Sequence, residues 1–411
     1  MIQLSSSVKN VQAEIPLASS KSESNRALII QALSRNPIEL NNLSSARDTQ
    51  TMIRLLGTEG HVMDVIDAGT TMRFLTAYCA AVGRDQILTG TPRMCKRPIG
   101  ILVDALRKLG AEIEYWKQDG FPPLHIISKG GRLKGTKLDI QGNVSSQFIT
   151  ALLMIGPALE GGLRLGLVGD IYSRPYINMT LGLMNRFGVE AKWETESTIW
   201  VPEQAYQSGD YTIESDWSAA SYWYSLVALS ESAKIKLLGL RKESLQGDSQ
   251  MAEIMKGFGV SSTFEEDGVV VEKVATPEKG KEIHINFSQV PDLAQTLAVI
   301  AAVQGVQLHM TGLESLRIKE TDRIFALQEE LAKFGCTMLE TAPGQFSIGG
   351  EFKPANVEIE TYEDHRMAMA FGPVAQTGSE LIFKDDEVVN KSYPEYWDHL
   401  ALAGMNVKVS E

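Results

Sequence analysis

Cysteine is scarce in this sequence, and several features that would assign it to a special class of protein are missing. The three cysteines, Cys79, Cys95 and Cys336, are odd in number and widely spaced, which argues against a disulfide framework or a zinc site and favours a reducing cytoplasm. The first residues, MIQLSSSVKNV, lack the basic start and apolar run of a signal peptide. The longest apolar stretch, FITALLMIGPAL, is too short to span a bilayer. We therefore expect a cytoplasmic protein.

Positive charge is in the minority. The chain has 39 Lys and Arg residues against 51 Asp and Glu residues, a net charge of −12. Such a balance is a poor match to nucleic acid or to a membrane surface, so we expect neither as a partner. A local cationic pocket for a small molecule remains compatible with it. Hydrophobic residues make up 44% of the chain, which is a globular composition, and the length favours two or three domains.

A pattern recurs six times along the chain: a helical apolar stretch, a glycine, and a short β-like run. Each glycine stands where a helix would end, a position at which positive φ favours this residue; the six are Gly57, Gly110, Gly188, Gly259, Gly335 and Gly404. A hairpin-like pair of strands at 346–361 favours α+β layers over a doubly wound sheet. Six units of this kind suggest two pseudo-symmetric halves of three. We expect one crossover within 211–226, where a strand-like run gives way to a helix.

Cations recur at the turns that lead from a strand into a helix. In LASSKSESNRAL, Ser20 and Glu23 match a capping box before an apolar helix. That places Lys21 in the first turn, where a cation opposes the helix dipole. Backbone amides, hydroxyls and cations together suit a bound anion, whereas the alternative is an ordinary solvated helix start. The segments DAGTTMRF, TGTPRMCKRPI, RIKETDR and TYEDHRMAMAF repeat this combination. In the last of them, Asp364 is predicted to be the N-cap of a helix.

Two further segments also have both a structural and a functional interpretation. Ser145 and Ser146 precede an apolar helix and either cap it or bind phosphate oxygens. Asp292 follows a proline at the start of a long apolar helix, and this position taken alone indicates an N-cap. Lys319 and Arg323 have i,i+4 spacing, which predicts one shared helix face.

Common catalytic motifs are missing as well. The sequence has no Walker A motif, nucleophile elbow, dinucleotide fingerprint or metal-ligand cluster. We therefore expect chemistry on anionic small molecules that uses only Lys, Arg, Asp and Glu, with no metal and no cofactor.

Seven segments together resemble the 5-enolpyruvylshikimate-3-phosphate synthase family of enolpyruvyl transferases. In chain order they are SKSxSNRALxxxAL, DAGTTMRF, LTGTPRMxxRPIGxLVDALRxLGA, SSQFxTALLM, RPYIxxTL, RxKETDR and TYEDHRMAMAF. The resemblance implies an α+β fold of two similar domains, each built from three βαβαββ units, with the active site in the interdomain cleft. We set the first domain at 19–216 and the second at 1–18 plus 217–411.

The resemblance also implies an activity. The enzyme would transfer the enolpyruvyl group of phosphoenolpyruvate to the 5-hydroxyl of shikimate 3-phosphate and release phosphate, in the shikimate pathway of aromatic amino acid biosynthesis. The reaction would proceed by addition and elimination through a tetrahedral intermediate. We expect a monomer that is inhibited by the herbicide glyphosate.

The family's functional residues map onto matching positions of this chain. Shikimate 3-phosphate would be bound by Lys21, Ser22, Arg26, Ser145, Ser146, Gln147, Ser173, Asp292, Ser315 and Lys319. Phosphoenolpyruvate would be bound by Lys21, Gly69, Arg97, Gln147, Arg323, Arg366 and Lys391. The catalytic residues would be Lys21, Asp292 as proton acceptor and Glu320 as proton donor.

The match has departures and rivals. Ser315 and Asp67 each replace an asparagine of the family pattern, Phe74 replaces a proline, and Ala18-Ser19 replaces a Pro-Gly pair. One alternative is the sister enzyme that uses UDP-N-acetylglucosamine, but its loop cysteine stands five residues before an arginine, whereas Cys95 is two before Arg97. Another alternative is a non-catalytic anion-binding relative, which would be expected to have lost the acid–base pair.

Overall fold

A computed structural model describes residues 1–128 and 130–409 of the chain. The chain divides into two compact units. One, here called the discontinuous unit, comprises Met1–Ser19 and Glu214–Glu411, and the other, the continuous unit, comprises Ser20–Ile213. Each unit has its own hydrophobic core. Among the described residues, no helix combines the length and the apolar character that a bilayer crossing requires.

The described residues form twelve α-helices and twenty-two strands. The helices are α1 Lys21–Leu33, α2 Arg47–Leu56, α3 Gly69–Val82, α4 Gly100–Lys108, α5 Ser146–Ile155, α6 Arg174–Arg186, α7 Trp217–Leu229, α8 Met251–Ile254, α9 Ala294–Gln304, α10 Arg323–Ala332, α11 His365–Phe371 and α12 Tyr396–Leu402. The strands are β1 Ile2–Ser5, β2 Asn10–Ile15, β3 Ile38–Asn41, β4 Val62–Asp64, β5 Gln86–Thr89, β6 Glu112–Tyr115, β7 Leu124–Ile127, β8 Lys137–Gln141, β9 Leu163–Val168, β10 Lys192–Trp193, β11 Thr198–Val201, β12 Gly209–Thr212, β13 Ser232–Leu238, β14 Val260–Glu265, β15 Gly268–Lys273, β16 Glu282–Asn286, β17 Gln307–Thr311, β18 Cys336–Ala342, β19 Gln345–Gly350, β20 Val357–Ile359, β21 Leu381–Phe383 and β22 Asn406–Val409.

Most sheets of the described chain share one strand order. In β4-β5-β7-β6, β4 runs parallel to β5, with α3 between them in the chain. Helix α4 then leads to the antiparallel pair β6 and β7, and β7 returns to lie beside β5. The sheets β8-β9-β11-β10, β2-β13-β15-β14, β16-β17-β19-β18 and β20-β21-β1-β22 repeat this order, and β3 and β12 form a parallel pair. The predicted α+β fold built from βαβαββ units is confirmed.

The first strand of the chain completes the last repeat. Strand β1 lies between β21 and β22 and is antiparallel to both, with Ile2 opposite Phe383 and Leu4 opposite Val407. This pairing explains why residues from both ends of the sequence belong to one unit.

Several helices are enclosed on all sides, which restricts where polar groups can be placed. Every residue of α7 except Ser218 and Leu229 is buried, including Trp217 and Trp223. In α5, all residues from Phe148 to Ile155 are buried. A helix that is apolar all round belongs to a core.

Two local predictions are wrong. The strands of the predicted hairpin at 346–361 are β19 and β20, and these belong to different sheets: β19 pairs with β17 and β18, whereas β20 pairs with β21. Gly57 has φ −85°, because α2 ends there with a continued right-handed turn. The other five repeat glycines do have positive φ, from 77° to 101°.

The difference in φ between Gly57 and Gly110 provides a stability test within the continuous unit. Gly110 has φ +101° and no heavy atom within 4 Å of an added Cβ, so its replacement meets only backbone strain. We expect Gly110→Ala to lower the free energy of unfolding by about 1–2 kcal/mol. Gly57→Ala should change it by less than about 0.5 kcal/mol, because its φ suits any residue. Urea unfolding of both variants measures the difference, and equal losses would contradict the backbone assignment.

Candidate active site

The first turn of α1 contains the residues that drew attention in the sequence. Ser20 caps the helix as predicted, since its Oγ accepts a hydrogen bond from the Glu23 amide at 3.4 Å. Lys21 is the first helical residue, and its Nζ lies 3.5 Å from Oδ2 of the buried Asp48, at the start of α2. The carboxylate offsets the unfavourable placement of a cation at a helix N-terminus. The buried Glu23 side chain accepts a hydrogen bond from the Tyr211 hydroxyl.

Arg26 joins α1 to two other helices of the continuous unit. Its Nε donates to Thr180 Oγ1 in α6 at 2.9 Å, and its Nη2 donates to Thr150 Oγ1 in α5 at 3.4 Å. Its guanidinium carbon lies 5.6 Å from the ring centre of Phe74 and 5.7 Å from that of Tyr176. Burial lowers the pKa of Arg26 to about 10, so the residue remains a cation at neutral pH.

Gly69 begins α3 and is closely approached by two arginines. A Cβ added to Gly69 would lie 2.6 Å from Arg97 Nη1 and 3.0 Å from Arg73 Nη1. Arg73 is itself fixed, since it donates to the Gly69 and Pro98 carbonyl oxygens at 3.1 and 3.0 Å. Glycine is therefore needed for the two guanidinium groups to reach the start of the helix.

Gln147 connects the starts of α5 and α3. Its Nε2 donates to Thr70 Oγ1 at 3.1 Å, and its own amide donates to Oγ of Ser145, the N-cap of α5, at 3.4 Å. The structure thus confirms the capping interpretation of Ser145. The contacts of Arg26 and Gln147 together link the four helices α1, α3, α5 and α6.

The remaining candidate serines of this unit also lie at helix starts. Ser173 occupies the N-cap position of α6 without a side-chain cap hydrogen bond, and its backbone is in the left-handed region, with φ 54° and ψ 35°. A non-glycine residue in that region costs about 1–3 kcal/mol and is concentrated at functional sites. Ser22 and Ser146 are half-buried in the first turns of α1 and α5. All three hydroxyls are at positions from which they could contact an anion.

Two departures from the family pattern have local partners. The Asp67 carboxylate, which replaces an amide, pairs with Arg47 Nη2 at 3.1 Å. Phe74 packs against the Arg26 guanidinium, as described above. Both substitutions are therefore accommodated within the continuous unit.

In the discontinuous unit, Arg323 is the first residue of α10 and is held by three carboxylates. Its Nε lies 2.7 Å from Asp364 Oδ2, its Nη2 lies 3.0 Å from Glu320 Oε2, and its Nη1 lies 3.3 Å from Asp292 Oδ1. The Arg323 side chain is 2% exposed. Burial acts to lower the pKa of Arg323, but the carboxylates of Asp364, Glu320 and Asp292 outweigh it and raise the pKa above its usual value.

Asp292 lies between two arginines. It lies within the 3₁₀ turn Pro291–Leu293 before α9, and the N-cap positions of that turn and of α9 belong to Val290 and Leu293. Its Oδ2 instead accepts from Arg366 Nη2 at 2.8 Å, while Oδ1 faces Arg323. The N-cap interpretation of Asp292 is therefore wrong, because two buried guanidinium groups bind the carboxylate.

Arg366 is in the first turn of α11, where Asp364 caps the helix by accepting from the Arg366 amide at 2.9 Å. Its Nη1 donates to the Tyr222 hydroxyl at 3.2 Å. Burial raises the pKa of Tyr222 to about 12, so this hydroxyl stays protonated. The Arg366 side chain is 9% exposed and retains only limited freedom.

The other three candidates of this unit differ in their surroundings. Lys319 precedes α10 with a non-helical backbone, φ −80° and ψ −145°, so the predicted i,i+4 helix face shared with Arg323 is wrong. Burial lowers the pKa of Lys319, against the opposing effect of Asp292. Lys391 is buried and ends a 3₁₀ turn that packs against α11. Ser315 is half-buried in the 3₁₀ turn Glu314–Ile318.

Several residues of these sites were missed by the sequence reasoning. Asp48, Thr150 and Thr180 contact the two cations of α1, and Tyr222 contacts Arg366. The local sequence around a helical carboxylate or hydroxyl does not indicate which distant residue that group will contact. Asp364 was identified as a cap, and the same carboxylate also pairs with Arg323.

Two groups of histidines and carboxylates lie apart from these residues. His125 Nε2 and His61 Nδ1 lie 3.0 and 3.6 Å from Asp85 Oδ1. The imidazoles of His284 and His309 stack at 4.4 Å beside Glu282. Exposed side chains form most of each group, and hydrogen bonding and stacking account for the contacts.

Comparison with known proteins identifies relatives that match along the whole chain. A sequence model of the family described as EPSP synthase (3-phosphoshikimate 1-carboxyvinyltransferase) matches residues 6–67 and 57–400. A protein named 3-phosphoshikimate 1-carboxyvinyltransferase from Bacteroides fragilis strain YCH46 is 49% identical over 413 residues, covering 100% of each chain. One of the same name from Mannheimia haemolytica is 36% identical, covering 96% of this chain and 97% of the relative.

Solved structures have the same fold. A structure of EPSP synthase from Acinetobacter baumannii superposes with a TM-score of 0.81 at 22% identity and covers 99% of both chains. A second structure of EPSP synthase from that organism has a TM-score of 0.79 at 21% identity and full coverage. These likenesses establish the enolpyruvyl transferase fold for the present chain.

The ion pairs of Arg323 provide a stability test with a matched control. Arg323→Gln leaves buried carboxylates without their cation, so we expect a loss of about 3–5 kcal/mol in unfolding free energy at pH 7. Arg317→Gln breaks two exposed pairs, with Asp322 and Glu340, and should cost at most about 1 kcal/mol. Denaturant unfolding at pH 7 measures both losses, and similar losses for the two variants would contradict the account.

Proposed function

Because the chain belongs to the EPSP synthase family, we propose that it transfers the enolpyruvyl group of phosphoenolpyruvate to the 5-hydroxyl of shikimate 3-phosphate and releases phosphate. The observation that carries this proposal is the match to the family over the whole chain, at up to 49% identity among the relatives described above. Cations and carboxylates at the helix starts of each unit provide the chemistry that the reaction requires.

We propose that the continuous unit binds shikimate 3-phosphate through its helix starts. Lys21, Ser22 and Arg26 on α1 would contact the substrate, with Ser145, Ser146 and Ser173 around the 3-phosphate. Helix N-termini supply amide donors and a favourable dipole for a phosphate group. The fixed position of Arg26 among threonines and aromatic rings supports this role. Gln147, anchored to Thr70, would contact both substrates.

Phosphoenolpyruvate would be bound mainly by cationic side chains. The residues that the family resemblance assigns to it are Lys21, Gly69, Arg97, Gln147, Arg323, Arg366 and Lys391. Phosphoenolpyruvate carries a carboxylate and a phosphate, both of which guanidinium groups bind in bidentate fashion. The close approach of Arg97 to Gly69 supports this assignment.

Asp292 and Glu320 are proposed to move the protons. The 5-hydroxyl oxygen attacks C2 of phosphoenolpyruvate and gives up its proton to Asp292, while C3 gains a proton from Glu320. The tetrahedral adduct then returns a C3 proton to Glu320 and loses phosphate, which takes the proton from Asp292, and the enol ether is formed. Arg323 and Arg366 favour the ionised form of Asp292, which suits a base. Lys319 and Ser315 would bind hydroxyls of the acceptor.

The alternatives are not favoured by these observations. The relatives described above carry the 3-phosphoshikimate 1-carboxyvinyltransferase name, not that of a UDP-N-acetylglucosamine transferase. A non-catalytic relative would have no need of Asp292 and Glu320, both of which are present beside Arg323.

We further propose that the protein acts as a monomer in the cytoplasm, within aromatic amino acid biosynthesis. Its three cysteines are free thiols, which accords with a reducing compartment.

Phosphate release tests the proposed function. Shikimate 3-phosphate and phosphoenolpyruvate together should release one phosphate per acceptor consumed, and neither should do so alone. UDP-N-acetylglucosamine in place of shikimate 3-phosphate should release none. Release with the nucleotide sugar only, or no release with any pair, would reject the proposal.

Substitution of the two carboxylates tests their roles. Asp292→Asn and Glu320→Gln preserve shape and should each lower kcat by about 10²–10⁴-fold, the usual contribution of a positioned acid or base. Glu340→Gln, which alters an exposed ion pair, should leave kcat unchanged. Calorimetry with shikimate 3-phosphate separates turnover from binding. Near-normal kcat, or losses explained wholly by weaker binding, would show that these carboxylates are structural.

Gly69 offers a test of the phosphoenolpyruvate site. Gly69→Ala places a methyl group 2.6 Å from Arg97 Nη1, so the arginine must shift. We expect KM for phosphoenolpyruvate to rise roughly tenfold or more, the scale of one charge-assisted hydrogen bond. Inhibition by glyphosate should weaken by a larger factor. Gly60→Ala, in an open loop, is the control, and equal effects of Gly69→Ala on substrate and inhibitor would contradict this placement.

A further inference from the structure

A buried carboxylate, Asp248, lies beside the proposed machinery but has no role in it so far. It belongs to the 3₁₀ turn Gly247–Gln250 and is 3% exposed. The neighbouring Gln246 fixes this turn to the start of α7, since its Oε1 accepts from the Trp217 amide at 3.0 Å and its Nε2 donates to the Ser215 carbonyl oxygen at 2.8 Å. The turn that contains Asp248 is therefore held in place by hydrogen bonds from the Gln246 side chain to the backbone before α7 and at its start.

A short chain of hydrogen bonds leads from Asp248 to the active-site residues. The Ser218 hydroxyl, in the first turn of α7, donates to Asp248 Oδ2. Ser218 Oγ in turn accepts from Arg366 Nη2 at 3.5 Å. The same Nη2 donates to Asp292 Oδ2 at 2.8 Å. Asp248 Oδ1 is buried and has no hydrogen-bond partner among the described residues.

We infer that Asp248 is a positioning residue, which orients the Ser218 hydroxyl and through it holds the Arg366 guanidinium for binding the anionic donor substrate. This inference rests on the proposed function. The donor hydrogen of Ser218 is committed to Asp248, so a lone pair of Ser218 Oγ is turned towards Arg366. The guanidinium is thereby contacted by Ser218, Asp292 and Tyr222, which fix its plane.

The charge of Asp248 also affects Arg366. The charged groups that face it are Asp216 at the N-cap of α7, Asp292 before α9 and Arg366 in α11. Burial, with the negative charge of Asp292, raises the pKa of Asp248 to about 7, against the lowering effects of Ser218 and Arg366. Ionisation of Asp248 above neutral pH therefore adds a second carboxylate to Arg366. The guanidinium should then attract a substrate anion less strongly.

The test compares Asp248→Asn, Asp248→Ala and wild type between pH 6 and 8.5. The asparagine keeps an acceptor for Ser218 but stays neutral. We expect the ratio of wild-type to Asp248→Asn KM for phosphoenolpyruvate to be near one at pH 6 and to rise several-fold by pH 8.5. Substrate phosphate, which also titrates near pH 6, affects both proteins equally. Asp248→Ala should raise KM several-fold already at pH 6, with a smaller change in kcat.

Asp267→Asn, which removes an exposed carboxylate paired with Lys236, is the control, and its KM ratio to wild type should not change with pH. If the ratio for Asp248→Asn does not change with pH either, and its KM is normal, the inference is overturned even if Asp248→Ala does not fold. A second readout does not require turnover. Because the native protein holds a proton on Asp248 that the unfolded chain has lost, wild-type stability should fall between pH 5 and 8 relative to Asp248→Asn.

The two proposals fail separately. If wild-type protein releases no phosphate from the two substrates, the proposed function is rejected. In that case, a melting-temperature difference between wild type and Asp248→Asn that does not change with pH would reject the placement of Asp248 as well.

Discussion

The burial of Arg323 among three carboxylates is the interaction on which the discontinuous unit's site depends. One guanidinium with five N–H donors bridges Glu320 in the segment before α10, Asp292 in the turn before α9 and Asp364 at the N-cap of α11. Each of these segments carries one proposed functional residue: Glu320, Asp292 and Arg366. The cost of burying so many charges is repaid only when geometry and hydrogen bonding are good. Their positions relative to one another are consequently fixed before any substrate is present.

The continuous unit follows the same principle with fewer charges. Lys21 is held by Asp48, and Arg26 is held by two threonine hydroxyls and two aromatic rings. In each case a cation of α1 is fixed by side chains of neighbouring helices. Preorganised charge of this kind costs no reorganisation at the moment of reaction, which is why it contributes strongly to catalysis.

Local chemistry predicted the helix starts well. Ser20, Ser145 and Asp364 cap the helices that their sequences indicated, because capping depends on residues within one turn. The repeat of helix, glycine and strand indicated six similar units, and five of its six glycines do adopt positive φ. Gly57 does not, because a helix may also end in a right-handed turn that tolerates any residue.

Contacts between distant segments were beyond the reach of sequence patterns. Asp292 has the local appearance of a cap, but its partners are 31 and 74 residues away. The sequence at 346–361 has the pattern of a hairpin, but β19 and β20 belong to different sheets. Strand pairing is decided by the topology of the whole repeat, which a short stretch of sequence does not contain. Asp248 was missed for the same reason, as its environment is created by the starts of α7, α9 and α11.

The central proposal is that the fixed cations hold the two substrates while Asp292 and Glu320 transfer protons. The substrates then bond directly to each other, and neither is bonded covalently to the protein. Rapid quenching of equal amounts of protein, shikimate 3-phosphate and isotopically labelled phosphoenolpyruvate, followed by mass spectrometry, tests it most directly. The account predicts a free adduct that contains both carbon skeletons and both phosphates, formed before the enol ether appears. Label attached covalently to the chain, at Cys95 or elsewhere, with no free adduct, would contradict it.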